Sequence, residues 1–137
     1  MTGHETRGQI NHVELYVRDL ERSAEWWGWL LESLGYRPYQ MWDEGISWLL
    51  DGTYIVLVQA PIDDEVDRRH PGLNHLAFTA GSRDEVDQLT QAARDRDERV
   101  LYEDRHPFAG GDDHYALFIE DPDGIKVEIV AHGSGHH

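Results

Sequence analysis

The chain repeats one short segment at about half its length, and this repeat limits the possible folds more than any other feature. Residues 10–17 read INHVELYV and residues 73–80 read LNHLAFTA. The two histidines, His12 and His75, are 75 − 12 = 63 residues apart in a chain of 137. In each copy an apolar residue precedes Asn-His, and strand-like residues follow. We therefore expect two copies of one structural module fused in a single chain.

The sequence after each copy predicts the same order of elements. The first module, about residues 10–60, has a strand at 10–17, an amphipathic helix at 23–34 and strands at 36–42, 46–50 and 53–59. The second, about residues 73–131, has a strand at 73–80, a helix at about 82–93 and strands at 100–103, 114–120 and 125–130. We predict an α+β fold of two βαβββ modules that form a single domain over residues 1–137.

Composition excludes several classes of partner. The chain has 27 acidic and 12 basic residues and a formal charge of −15, which excludes nucleic acid and anionic membranes as expected partners. Because cysteine is absent, any metal must be bound by nitrogen and oxygen. No apolar run is long enough for a membrane span or a secretory signal, so we expect a cytoplasmic protein. The tail at 132–137 is expected to be a flexible end, and its histidines carry no weight.

Three side chains in predicted strands are candidate ligands of one divalent metal ion. His12 and His75 begin the two repeated strands, and Glu128 lies in the last strand. In each strand the alternation places the candidate on the face opposite the apolar residues that a helix should cover. Two imidazoles and a carboxylate suit Fe, Mn, Ni, Co or Zn, and the residues do not choose among these metals. Glu14 is the nearest competing carboxylate.

The repeat also reveals a position without a ligand. When Gly52 of the first module is aligned with Gly124 of the second, Val56 falls at the position of Glu128. The repeat therefore offers four matched positions, of which only three can bind a metal.

The paired modules, Asn11-His12, Asn74-His75 and the run DPDGIKVE at 121–128 resemble the vicinal oxygen chelate superfamily, which includes glyoxalase I, extradiol dioxygenases, fosfomycin-modifying thiol transferases and bleomycin-binding proteins. The resemblance covers about residues 10–131. It implies a cup-shaped mixed sheet and makes His12, His75 and Glu128 the ligands, from one chain or shared across a dimer. Glyoxalase I has a glutamate where this chain has Val56. Fosfomycin modification would need a cationic pocket, for which Lys126 is the main candidate.

Strand pairing predicts the remaining site residues. A two-residue turn at Asp51-Gly52 gives the first module four pocket residues, and a three-residue loop at 121–123 puts Ala116 beside Glu128. That loop also points Phe118 and His114 inward, and His114 is the candidate general acid or base. A two-residue loop would instead point Tyr115 and Leu117 inward. The predicted pocket residues are Ser47, Leu49, Tyr54, Val56, Ala116 and Phe118.

Weaker candidates complete the prediction. Tyr16, Tyr102 and Glu103 are alternative proton donors or acceptors, and His70 and His106 are expected at the surface. A helix with three tryptophans, Trp26, Trp27 and Trp29, favours a homodimer. We expect a metal-dependent enzyme of the glyoxalase or dioxygenase type, nearest an extradiol dioxygenase, acting on a small molecule that chelates the metal through adjacent oxygens. The alternative is a protein that sequesters a small molecule, as in bleomycin resistance, without catalysis.

Overall fold

The computed structural model describes residues 7–133, and the chain divides between Asp63 and Asp64 into two compact units. The first unit contains β1 (His12–Val17), α1 (Leu20–Ser33), β2 (Arg37–Trp42), β3 (Gly45–Leu50) and β4 (Thr53–Gln59). The second contains β5 (Leu76–Thr79), α2 (Arg83–Asp95), β6 (Ala116–Glu120) and β7 (Lys126–Val130). Within residues 7–133 no helix is long and apolar enough to cross a membrane. The part of the predicted tail from Ser134 onwards lies outside the described residues.

The first unit is a four-stranded mixed sheet in the order β1-β4-β3-β2, covered on one face by α1. Asp19 caps α1 by accepting a hydrogen bond from the backbone N–H of Arg22. The apolar side of the helix buries Trp26, Trp27, Leu30 and Leu31. Trp48 on β3 belongs to the same core and donates its indole N–H to Glu32 over 3.1 Å. Two of the three helix tryptophans, Trp26 and Trp27, are thus buried within the unit. The homodimer stays a prediction.

The turn between β3 and β4 sets their register as the sequence predicts. Leu50 pairs with Thr53, and the pairing continues to Ser47 with Val56. Asp51 adopts a left-handed φ of 51°, as the first central residue of such tight hairpins requires. Trp48 and Ile55 are therefore on the helix side, and Ser47 and Val56 are on the opposite face.

The second unit is a three-stranded mixed sheet in the order β5-β7-β6. Ser82 and Glu85 form a capping box at the start of α2. The core lies between this helix and the sheet, where Leu117, Ile119, Val127 and Ile129 are fully buried. The predicted α+β class is confirmed, with one small mixed sheet in each unit. The assignment of residues 1–137 to a single domain stays a prediction.

The predicted strand at 100–103 is wrong. Only an isolated bridge between Val100 and Ile119 forms there. Tyr102 has a φ of 57°, in the left-handed region that takes a residue out of an extended strand. The chain then turns, with Arg105 and His106 both donating backbone hydrogen bonds to the Tyr102 carbonyl. The second unit consequently lacks a counterpart to β2.

The predicted register of β6 and β7 is shifted by two residues. The backbone N–H of Asp121 bonds to the Ile125 carbonyl, so the three loop residues are 122–124 rather than 121–123. The buried Asp121 carboxylate explains the shift, because it accepts hydrogen bonds from the backbone N–H groups of Asp123 and Ile125 and fixes the turn around itself. Phe118, not Ala116, pairs with Glu128, and Ala116 pairs with Val130.

Candidate metal centre

Each repeated histidine is held by the asparagine that precedes it. The Nδ1 of His12 lies 2.8 Å from the amide oxygen of Asn11, and the Nδ1 of His75 lies 2.6 Å from that of Asn74. An amide oxygen only accepts, so Nδ1 carries the proton in each ring. In the neutral imidazole Nε2 then keeps its lone pair, the form that binds metals. This role of both asparagines was not predicted from the sequence, although their repetition before each histidine was the available signal.

In the second unit Nε2 of His75 faces a buried carboxylate. The distance from Nε2 to Oε1 of Glu128 is 2.9 Å, and the Glu128 side chain is only 5% exposed. With Nδ1 protonated, two lone pairs meet across this distance unless a cation, either a proton or a metal, lies between them. Adjacent donors on an octahedral ion with bonds of about 2.1 Å are separated by about 3 Å. The pair therefore fits a divalent metal.

His114 lies on the other oxygen of the same carboxylate. Its Nε2 contacts Oε2 of Glu128, and its side chain is 12% exposed. His114 precedes β6 and is placed by a turn in which its backbone N–H bonds to the Gly111 carbonyl. It points inward, as expected from the sequence. Although three side chains meet here, no group of three or more histidine, aspartate and glutamate residues between positions 7 and 133 is arranged so that one ion reaches them all.

The first unit places a different set of groups at the equivalent positions. His12 is opposite Tyr54 in the β1/β4 pair, and the two rings stack at 4.6 Å with an angle of 13° between their planes. Val56, 3% exposed, is opposite Glu14. In the second unit Ala77 of β5 is opposite Glu128 of β7. The apolar residue and the carboxylate thus exchange strands between the two units.

The predicted pocket residues occupy the expected faces of their own sheets. Because paired residues share a face, Ser47, Leu49, Tyr54 and Val56 lie on the His12 face of the first sheet. The Ser47 hydroxyl is already used, since it accepts a hydrogen bond from the backbone N–H of Gln40. In the second unit Phe118 is beside Glu128 and its ring lies 6.0 Å from that of His75, while Ala116 is fully buried. Contact of these residues with a substrate stays a prediction.

Some of the other candidate proton donors and acceptors lie at the surface, and others lie near the candidate site. Tyr16 is 64% exposed, and Glu103 forms an exposed ion pair with Arg94 at 2.8 Å. His70 is exposed near Asp67, as predicted, whereas His106 is half-buried, and burial lowers the pKa of His106. Tyr102 contacts the Phe118 ring edge to face, with ring centroids 5.4 Å apart. Of these residues, only Tyr102 contacts a side chain that pairs with Glu128.

Comparison with known proteins identifies the family of the chain. Residues 9–129 match the family model described as the Glyoxalase/Bleomycin resistance protein/Dioxygenase superfamily. The chain is 57% identical over 125 residues to the protein YqjT of Bacillus subtilis strain 168, covering 89% of this chain and 98% of that protein. The crystal structure of a Bacillus halodurans protein superposes with a TM-score of 0.89 at 52% identity, covering 91% of this chain and 96% of the other. A glyoxylase/bleomycin resistance protein/dioxygenase domain from Frankia sp. EAN1pec has a TM-score of 0.71 at 27% identity and covers 96% and 97% of the two chains.

Proposed function

Because the chain belongs to the Glyoxalase/Bleomycin resistance protein/Dioxygenase superfamily, we propose that it is an enzyme that binds one divalent metal ion and a small substrate with adjacent oxygens. The observation that carries this proposal is the 2.9 Å approach of His75 Nε2 to the buried Glu128 carboxylate. Asn74 supports it by setting the tautomer of His75. When bound, the metal would act as a Lewis acid toward the chelating oxygens of the substrate.

The residues of the second unit have distinct proposed roles. His75 and Glu128 bind the metal, and His114 is the proposed general acid or base because it contacts the same carboxylate. Phe118, 7% exposed, provides an apolar wall beside Glu128 that keeps water from the reacting group. His12 as a further ligand stays a prediction, and its partner asparagine, Asn11, supports it.

Val56 favours an extradiol-dioxygenase-like reaction over the lactoylglutathione lyase reaction. The resemblance implies that glyoxalase I has a fourth ligand at this position, a glutamate that also transfers protons. Here the position has a buried valine. Fewer protein ligands leave more positions for a chelating substrate and for a second reactant.

Metal loading tests the proposal. Protein without its histidine-containing tail, loaded anaerobically with Fe(II), Mn(II), Co(II), Ni(II) or Zn(II), should retain about one ion per chain. His75→Gln and Glu128→Gln should each weaken binding about 100-fold or more, since removing a ligand costs more than removing a residue that supports one. His70→Gln is the matched control for metal binding, because His70 is exposed and lies near Asp67 rather than Glu128. Retention of the metal by both site variants would contradict the proposed ligands.

A substrate screen tests the reaction class. The Fe(II)-loaded protein should consume O2 with catechols, and 2-oxoaldehyde thiol adducts should react slowly or not at all. The reverse preference would make the reaction glyoxalase-like. Tight binding of these compounds without turnover would favour the sequestering protein instead.

A further inference from the structure

Lys126 is the only lysine among the 137 residues, and it lies on the Glu128 face of the second sheet. It is two residues before Glu128 on β7, so the alternation of the strand places both side chains on one face. Lys126 is half-buried. A partly desolvated ammonium group is costly unless an anion or an aromatic surface compensates for the lost water.

Aromatic groups provide part of this compensation. The ammonium nitrogen lies 3.2 Å from the Tyr102 hydroxyl, 5.5 Å from the centre of the Tyr102 ring and 5.9 Å from that of Phe118. Tyr102 reaches Lys126 from the turn where its backbone takes the left-handed φ of 57°. Such a conformation is uncommon for a bulky residue and is typical of functional sites.

Lys126 has no carboxylate partner within ion-pair distance among residues 7–133. Glu120 is its neighbour across β6 and β7, but arginines occupy that carboxylate: Arg68 lies 2.6 Å from Oε2 and Arg99 lies 3.1 Å from Oε1. In a chain of net charge −15, a half-buried cation without a carboxylate is unexpected. We therefore expect a bound ligand to supply the negative charge that compensates Lys126.

Lys126 also lines a cavity of about 190 Å³, to which Asp67 and His70 contribute titratable side chains. The Asp67 carboxylate is already paired with Arg69 at 2.8 Å. The lining of the cavity also includes Ile125, Leu73 and Asn74, the last being the residue that holds His75. Arg68 also lines it but is bonded to Glu120 and to the Gly124 carbonyl. A small ligand in this cavity would lie close to both Lys126 and the residue that orients a proposed metal ligand.

We propose that the Lys126 ammonium and the Tyr102 hydroxyl bind a carboxylate of the substrate, so that the substrate is a small acid with both a carboxylate and adjacent chelating oxygens. This inference rests on the proposed function. One ammonium and one hydroxyl match the single charge of a carboxylate better than the two charges of a phosphonate or phosphate. The site would orient the substrate relative to His75 and Glu128.

Two probes that differ only in a carboxylate test this assignment. Catechol and 3,4-dihydroxybenzoate both chelate through adjacent oxygens, and calorimetry on the Zn(II)-loaded protein avoids turnover with O2. Wild type should bind the acid about tenfold more tightly or better, the range expected for bonds to a charged group. Lys126→Met should abolish this preference, and Tyr102→Phe should reduce it. Arg37→Gln, which removes one exposed positive charge from the first unit, should keep it.

The unique lysine provides a second measurement that needs no metal. Protein grown with ε-¹³C-lysine has one lysine signal, so the response of Lys126 is read without assignment. Benzoate should shift that signal in the metal-free protein, and Tyr102→Phe should weaken the response at the same benzoate concentration. Circular dichroism melts of Lys126→Met and Tyr102→Phe verify that both variants fold.

Each outcome decides a separate question. Equal binding of the two probes by wild type, a preference that survives Lys126→Met, or an unmoved lysine signal would overturn the carboxylate site. A tighter response to methylphosphonate than to benzoate would overturn the choice of carboxylate. If neither catechol probe binds while benzoate still shifts the lysine signal, the anion site stands and the metal-chelating function fails.

Discussion

The two units share an Asn-His pair at the start of the first strand or just before it, but they differ in the group that faces the histidine. In the second unit His75 meets the Glu128 carboxylate at 2.9 Å, whereas in the first unit His12 stacks on the Tyr54 ring. Val56 is at the position equivalent to Glu128, and the carboxylate of the first unit, Glu14, is on the neighbouring strand at the position equivalent to Ala77. Both imidazoles are thus oriented in the same way by the preceding asparagine, but they contact different groups. The support for a ligand and the ligand's partner can therefore differ independently between the two copies of a module.

The largest expected effect comes from placing a carboxylate at position 56 of the first unit, the position equivalent to Glu128. Val56→Glu would bury a charge directly opposite Glu14, and we expect it to lower the free energy of unfolding of the metal-free protein by about 3 kcal/mol. Val56→Gln has the same size without the charge and is the matched control. Chemical denaturation in EDTA measures both variants. Equal stability of the two would mean that this position is less shielded from water than its 3% exposure indicates.

Removing the two asparagines compares the histidines directly. Asn74→Ala should raise the dissociation constant for Zn(II) about tenfold or more, because the loss of a residue that orients a ligand typically costs this much. Asn11→Ala should have a smaller effect, since His12 stacks on the Tyr54 ring whereas His75 contacts the Glu128 carboxylate. Competition with a chromophoric chelator measures both constants. Equal losses of Zn(II) affinity would show that the two histidines contribute equally to metal binding, which would contradict the proposed difference between the units.

The smallest expected effect concerns the segment just before β6 in the second unit, where no strand equivalent to β2 forms. Tyr115 donates a 2.5 Å hydrogen bond to Asp87, and the Arg83 guanidinium lies 4.7 Å from its ring centre. These side chains link the segment before β6 to α2. Tyr115→Phe should reduce the free energy of unfolding at neutral pH by about 1 kcal/mol or less.

Ionisation of Tyr115 predicts how the free energy of unfolding changes with pH. The hydrogen bond to Asp87 raises the pKa of Tyr115, so the folded state retains the phenolic proton more strongly than the unfolded state does. The stabilisation from the Tyr115–Asp87 hydrogen bond is fully present below pH of about 10 and is lost as the pH rises above that value. Unfolding followed from pH 9 to 11 should therefore show a steeper loss in wild type than in Tyr115→Phe. Asp87→Asn should flatten the curve similarly, and unchanged slopes in both variants would contradict the coupling.

The sequence predicts strand register correctly where a standard two-residue turn alone determines it. The Asp51-Gly52 hairpin has a standard two-residue geometry, so its register followed from the sequence. The turn before β7 did not, because the Asp121 side chain bonds to backbone groups two and four residues later and moves the loop by one residue. The strand predicted at 100–103 failed for a similar reason, since nothing in the pattern reports the left-handed backbone of Tyr102.

The candidate site was predictable as a list of residues but not as a set of contacts. Alternation in the strands, together with the choice of a three-residue loop, put Phe118 and Glu128 on one face. It could not show that Phe118 is the direct neighbour of Glu128, that His114 contacts the same carboxylate, or that Glu120 is taken by two arginines. These facts depend on register and on residues far apart in sequence. Lys126 became informative only after its neighbours were known.

The turn at Asp121 has a consequence for how such a site diversifies. Its buried carboxylate determines whether a large ring or a methyl group stands next to Glu128, because moving the loop by one residue exchanges Phe118 for Ala116. The space beside the carboxylate is therefore set by a hairpin at the end of the strands, remote from the wall of the site. A lineage, or an engineer, can enlarge or fill this space by editing the hairpin while every residue on the two strands stays the same.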